Sequence, residues 1–443
     1  MTKTSMLKKK FCILDVMKNR TWHSLLAAVT LLCGCTSLFK LTEGPTQLVR
    51  SHSSSEETSF LCTRSAQHSL LGPQKNLNED FFEFLKSPGV PKDFESKMIM
   101  WGLLNQNAHP ILVTPSSGVV LLLISGNDLK FYNFAPSREA KDYPFFRMMQ
   151  FLRNRNPKGP SLQALGAILE KDYRGGIKVS PLFQESLQQE SSLINASPNL
   201  KKAFVRGDQS LSLNESISSF PFASMMKYFE STLKASADLK KIQPLPISFP
   251  YQEKIGDNAI KCSIPIKDYE QGLFHIETTP TQNLFFGVKD GQTLALAVTY
   301  FQATKRIPFL DTATLIGDNI AQLPAFCVFE SNNQSSIIFS SHSRDPGQLL
   351  AQLINKTTQQ PLTHGVWEAL NEIFFLYLNM PPRVLYSQKE IPHPTSPIYA
   401  KKMDDYPNYY VEKIGEMIGV QHDPEGPVFF LKRPSYFAQD CHN

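Results

Sequence analysis

Thirty-one prolines scattered over 443 residues hold most regular elements of this chain to a short length. Proline lacks a backbone donor and clashes with the preceding helical turn, so frequent proline favours many brief helices and strands over a few long ones. The longest apolar run of the body, Gly118–Ile124, is bounded by Pro115 and by Gly126-Asn127. It is far below the ~20 residues of a membrane-spanning helix and reads as a buried strand.

Periodicity places the other elements. Phe94, Met98, Trp101 and Leu104 recur at helical spacing and predict a helix over Lys92–Asn105, preceded by one over Glu79–Lys86. Ile111–Thr114, Val119–Ser125 and Leu129–Phe134 predict a three-stranded meander with turn material between its strands. Helices follow at Arg138–Arg153, Ser161–Asp172, Leu182–Ser192 and Phe222–Leu233. A joint rich in proline, Gln243–Pro250, leads to a stretch of candidate strands: Ala259–Pro265, Gly272–Thr278, Asn283–Val288, Thr293–Phe301, Ala325–Glu330 and Ser335–Ser341. Asp290-Gly291 inside it is a hairpin signal and predicts a type I′ turn. The pattern then turns helical at Gly347–Asn355, Thr363–Leu378 (Trp367, Leu370, Phe374 and Leu378 on one face) and Tyr409–Ile418, with strands at Arg383–Tyr386 and Val428–Lys432. The expected class is α+β: a helical region with a small antiparallel meander, then an antiparallel β-rich region followed by helices. The regions run 76–242, 243–345 and 346–443, the last packed on the one before it. Two Ile-Gly-Asp-Asn segments, Ile255–Asn258 and Ile316–Asn319, raise an internal duplication on only four matching residues.

The formal charge of +5 belongs to the first 34 residues, where Lys3, Lys8, Lys9, Lys10, Lys18 and Arg20 face only Asp15. The remainder is neutral, which argues against nucleic acid as a partner. Behind the basic residues, the apolar stretch Thr21–Leu32 has the length of a secretory h-region and is too short to span. It ends in Leu32-Cys33-Gly34-Cys35. This segment resembles the lipobox of bacterial lipoproteins. The resemblance covers only the N-terminus and implies cleavage between Gly34 and Cys35, an S-diacylglycerol and an N-acyl chain on Cys35, and a membrane as partner through that anchor. Residues 1–34 would then be a signal peptide. Two or three acyl chains hold a protein on a bilayer, each buried CH₂ contributing ~0.8 kcal/mol. Thr36, rather than Asp, after the cysteine leans towards the outer membrane. Residues 35–75, rich in Ser, Thr and Gln, read as a flexible tether.

Export and lipidation leave Cys62, Cys262, Cys327 and Cys441 for an oxidising compartment. Three pairings are open. Cys262–Cys327 is favoured because each follows an Ile-Gly-Asp-Asn segment and each begins a strand; buried free thiols are the alternative.

Catalytic signatures are sparse. The sequence holds no Gly-x-Ser-x-Gly, phosphate loop, His-Glu-x-x-His or zinc ligand spacing, so neither a metal nor a cofactor is expected. Ser224-Met-Met-Lys227 has the Ser-x-x-Lys form in which the lysine amine takes the serine proton, at the start of a predicted helix. No Lys-Thr-Gly or Lys-Ser-Gly follows to build the opposite wall, and a capping serine beside a solvated lysine explains the same residues. His364 and Glu368 sit four apart on a predicted helix without a third ligand, and His275 lies in an apolar strand. The expected function is therefore non-enzymatic binding or scaffolding at the bacterial envelope, with an envelope protein as partner. The alternatives are an envelope hydrolase using Ser224 and Lys227, or a carrier of a hydrophobic ligand.

Overall fold

A computed structural model describes residues 68–109, 117–134, 143–173, 204–216, 247–263, 284–300, 324–331, 334–341, 345–358, 375–379, 381–386, 397–411, 414–422, 427–432 and 437–439, with Ser343 and a few residues between 175 and 227. The chain begins with β1 (His68–Gly72), α1 (Lys75–Lys86) and α2 (Phe94–Ala108), followed by the hairpin β2 (Gly118–Ser125) and β3 (Asp128–Phe134). Helices α3 (Pro144–Arg155), α4 (Leu162–Asp172) and α5 (Ser191–Ala196) come next, then the short hairpin β4 (Val205–Arg206) and β5 (Gln209–Ser210). Three longer hairpins follow: β6 (Tyr251–Ile255) with β7 (Asn258–Cys262), β8 (Leu284–Asp290) with β9 (Thr293–Tyr300), and β10 (Ala325–Ser331) with β11 (Gln334–Ser341). The last part holds α6 (Pro346–Thr358), β12 (Phe375–Asn379), β13 (Pro382–Tyr386), α7 (Pro397–Asp405), β14 (Asn408–Tyr410), β15 (Glu416–His422), β16 (Val428–Lys432) and β17 (Phe437–Gln439).

The class is α+β. Twelve of the described strands form two six-stranded antiparallel sheets, ordered β17-β1-β8-β9-β2-β3 and β16-β15-β11-β10-β7-β6, beside a small sheet β12-β13-β14, whose β13–β14 pair is parallel, and the β4–β5 hairpin. The first sheet takes strands from both ends of the chain and from its middle, so stretches that read as successive regions share one sheet. Residues 68–72, read from sequence as the end of the tether, form β1, and Leu70 and Leu71 lie in the core.

Alternation along the strands shows how the layers stack. In β10, Phe326 and Val328 join the core shared with the first sheet, while Cys327 and Phe329 join the cluster under α6. In β15, Ile418 and Val420 face the first sheet and Met417 joins the buried cluster under α6. Between the sheets the rings interlock: Phe285 meets Phe339 edge-on at 6.0 Å, and Phe131 stacks on Phe326 at 5.4 Å. On its other face the first sheet meets helices, with Phe286 beside Phe145 and beside Gly102 of α2. The order is helices, sheet, sheet, helix. β2 is sandwiched on both faces, which explains its unbroken apolar run.

Four hairpins use the same device. Gly126, Gly207, Gly256 and Gly291 each open a two-residue loop with φ between 57° and 64°, and the residue after each keeps negative φ. Positive φ at the first position alone is the type II′ pattern, so the Asp290-Gly291 signal marks the hairpin correctly while the glycine sits one place earlier than type I′ requires.

Two helices expected from sequence are corrected. Phe375–Asn379, the end of the expected Thr363–Leu378 helix, is strand β12; residues 363–374 lie outside the described ones. Phe375 to Leu378 are buried without interruption, so the run lacked a polar face that could have told helix from strand. Tyr409–Ile418 is likewise no helix, since β14 and β15 divide it. The expected strands Ile111–Thr114 and Gly272–Thr278 and the segment Ile316–Asn319 lie outside the described residues.

Candidate functional site

One end of the sandwich carries the three glycine turns of β2–β3, β6–β7 and β8–β9; the other end is where β8, β2 and β10 begin. At the turn end, Lys97 of α2 and His68 of β1 hold Asp290, at 2.5 and 2.8 Å. His422 of β15 donates from Nε2 to the Gly126 carbonyl at 2.6 Å and ties the second sheet to the first. The opposite end gathers polar groups that the apolar layers do not need.

There the β8–β9 ladder finishes with a hydroxyl. The Leu284 N–H donates to Thr299 Oγ1 at 3.0 Å, and that hydroxyl donates to the Leu284 carbonyl at 3.3 Å; Thr299 is fully buried. On the face between the sheets, the Tyr300 hydroxyl donates to Asn133 Oδ1 at 2.9 Å. Burial pushes the Tyr300 phenol well above its ordinary value, so it stays a donor at any physiological pH. Its ring lies over Gly118, where an added Cβ would come within 2.2 Å of Tyr300 Cζ. Only glycine permits that approach.

On the helix side, α2 runs along β8. Its Asp93 cap accepts from the Ser96 N–H at 2.9 Å, and Gly102 touches Phe286. The last turn holds Asn105, Gln106 and Asn107, all fully buried. Asn105 Nδ2 donates to the Trp101 carbonyl at 2.8 Å and Asn107 Nδ2 to the Leu103 carbonyl at 2.6 Å. Neither Gln106 Oε1 nor Gln106 Nε2 has a hydrogen-bond partner among the described residues.

Lys227 is exposed on its helical turn, without the burial that makes a lysine amine a base, and Ser224 lies outside the described residues. Gly34, Cys35, His275, His364 and Glu368 also lie outside them. Among the described residues no group of three His, Cys, Asp or Glu side chains could hold a metal, and no helix is long and apolar enough to cross a membrane. Cys262 and Cys327 are joined in a disulfide across directly opposed positions of β7 and β10, with Cα atoms 4.1 Å apart.

No family model and no curated protein matches this chain. Solved structures do. The chain shares its fold with an acylase. A cephalosporin acylase from Bacillus halodurans superposes with a TM-score of 0.51 at 11% identity, covering 88% of this chain and 97% of the acylase. LmbA, solved as a threonine-to-alanine variant, superposes at 0.58 with 8% identity, covering 86% of this chain and 99% of LmbA. Identities this low establish the arrangement of layers and leave the chemistry to the residues.

Sequence reasoning did not find the polar set at the end where β8, β2 and β10 begin. Thr299 and Tyr300 close an apolar strand, and Asn105, Gln106 and Asn107 close an apolar helix. Polar residues at element ends ordinarily mean solvent; their complete burial is visible only once the layers are stacked.

Proposed function

We propose that this chain is a lipid-anchored envelope hydrolase that cleaves an acyl–amide bond. The single observation behind it is the four-layer sandwich held in common with an acylase over nearly the whole of both chains. Anchoring through Cys35 rests on the basic n-region, the short apolar stretch and the lipobox. The Cys262–Cys327 disulfide agrees with an exported, oxidised body.

Among the described residues the Ser96 hydroxyl meets the Asp93 carboxylate, but that pair caps α2 and is committed to the helix start rather than serving as nucleophile and side-chain base. A threonine can dispense with one when its own free α-amine takes the hydroxyl proton, which requires the peptide bond before it to be cut. Thr278, Thr279 and Thr281 precede the buried strand β8 within six residues of sequence and are the nucleophile candidates. LmbA being studied as a threonine-to-alanine variant points the same way. The Ser224/Lys227 alternative is set aside because Lys227 is exposed.

A second reading keeps the sandwich as a binding or scaffolding body without turnover, favoured because the Ser96–Asp93 pair is spent on capping α2. The intact mass of protein purified from membranes separates the two. A lipid-modified Cys35 terminus together with a second new terminus at Thr278, Thr279 or Thr281 supports the hydrolase. One uncut polypeptide leaves the binding body, and an unmodified Cys35 removes the anchor.

A further inference from the structure

A strand at the edge of a sheet presents backbone N–H and C=O groups that have no neighbour to pair with, and chains blunt such edges with charge or cover them. This molecule does both. β3 closes the first sheet with Asp128 and Lys130 exposed and paired at 2.5 Å. β6 closes the second with Gln252, Glu253 and Lys254 exposed. In the small sheet β12-β13-β14, the β12 edge is covered from α6: Gln348 bonds the Tyr377 N–H and carbonyl, and Gln352 bonds those of Phe375.

β14, at the other edge, has neither device. Asn408-Tyr409-Tyr410 carries no charge, and its rings stand in solvent, Tyr409 at 52% and Tyr410 at 45% exposure. Among the described residues only Leu213 joins them as an exposed large apolar side chain. The ladder fixes where the backbone groups point. The Val384 N–H donates to the Pro407 carbonyl and the Val411 N–H to the Tyr386 carbonyl, both at 2.9 Å. With Val384 beside Asn408 and Tyr386 beside Tyr410 in a parallel pair, the Tyr409 N–H and carbonyl turn towards β13. Those of Asn408 and Tyr410 point outward and meet no partner among the described residues. The Asn408 side chain is used elsewhere, donating to the Met403 and Tyr406 carbonyls at 2.8 and 3.3 Å.

We infer that β14 is a self-association edge, pairing antiparallel with β14 of a second copy of this chain about a two-fold axis at Tyr409. The occupant follows from the edge itself. Set against its own copy with Tyr409 at the centre, each Asn408 lies opposite the other copy's Tyr410. Both residues aim N–H and C=O outward, so each of the two pairs exchanges two hydrogen bonds. Between them the two Tyr409 residues form the non-hydrogen-bonded pair, where side chains across a ladder come closest, and the more exposed ring meets its equal. α7 packs mainly on β12 and β13, with Lys402 over the Tyr377 ring. The joined sheet runs β12-β13-β14-β14-β13-β12, and Gln348 and Gln352 cover both of its ends, so the contact closes at two chains. A three-residue edge is small beside the ~1,200–2,000 Å² of a stable interface, which makes the dimer weak and reversible. The inference is independent of the acyl–amide reading.

The test uses full-length protein in detergent. Sedimentation velocity over a series of concentrations, up to the highest that stays soluble, is expected to show wild type passing reversibly from monomer to dimer. Tyr409→Lys sets like charges face to face at the axis and is expected to stay monomeric while melting as wild type does, since the ring it replaces is exposed. Register is read from cysteine variants under mild oxidation, with wild type as background. Tyr409→Cys brings two thiols to the axis with Cα atoms ~4.5 Å apart, whereas Tyr410→Cys leaves them two register steps apart, beyond the ~7 Å a disulfide can bridge. Linked dimer should therefore form about tenfold more from Tyr409→Cys than from Tyr410→Cys. A wild type that stays monomeric throughout overturns the inference and leaves the edge to a foreign strand. Growth past two chains, a Tyr409→Lys protein that dimerises as wild type does, or equal linking by the two cysteine variants overturns it as well. If Tyr409→Lys melts below wild type, the cysteine comparison decides alone.

Discussion

At the scale of single residues, the polar groups of this chain divide into those that serve the fold and those that do not. Asp93 belongs to the first kind. Burial acts to raise its pKa, but hydrogen bonds from the Ser96 backbone and hydroxyl, with Asn156, outweigh it and hold the carboxyl below its ordinary 3.8. A depressed folded pKa means stability that is present above the unfolded value and is lost as pH falls through the folded one. Asp93→Ala should therefore cost ~1 kcal/mol in urea denaturation at pH 7, the usual worth of a cap. The gap between variant and wild type should close below pH 3.8. A gap unchanged at pH 3 would show that the cap acts without its charge. The cap was readable in advance, since an Asp ahead of an apolar helical run is a start signal. Gln106 was not, because nothing in Asn105-Gln106-Asn107 says that the segment is buried.

At the scale of elements, legibility followed the number of faces an element buries. β3 and α1 bury one face and leave another partly exposed, and their periodicity shows. β12 hides Phe375, Leu376, Tyr377 and Leu378 together, and its uniform run mimicked a helix. Gln348 and Gln352 distinguish the two, since they fill one edge of β12 as a neighbouring strand would while β13 fills the other. Gln352→Leu leaves the Phe375 N–H and carbonyl without their partners and should cost ~1–3 kcal/mol per buried group in equilibrium denaturation. Adding Gln348→Leu should cost more again. A neutral double variant would mean that the strand does not depend on the helix.

At the scale of the whole molecule, local pattern found the class but not the architecture. The β2–β3 and β8–β9 hairpins were readable from Gly126 and Gly291, whereas β4, β5 and β6 were not expected as strands. The first sheet was not, because it joins β1 and β17, residues 68–72 and 437–439, to hairpins in the interior of the sequence. Pairings of such separation leave no mark on neighbouring residues. The second sheet is pinned by Cys262–Cys327, which closes a separation of 65 residues beneath α6. Reduction, or Cys262→Ala with Cys327→Ala, should lower stability by ~2–4 kcal/mol; an unchanged denaturation midpoint would show that the strand pairing holds without it. The end where β8, β2 and β10 begin together is a property of the assembled sandwich alone.

The claim that this sandwich cuts acyl–amide bonds is met most directly by measuring amine release. Full-length protein in detergent should liberate the chromophore from a panel of acyl p-nitroanilides, and a variant carrying Thr278→Ala, Thr279→Ala and Thr281→Ala should release none while melting as wild type does. No release by the wild type from any member of the panel, or equal release by the variant, would contradict it.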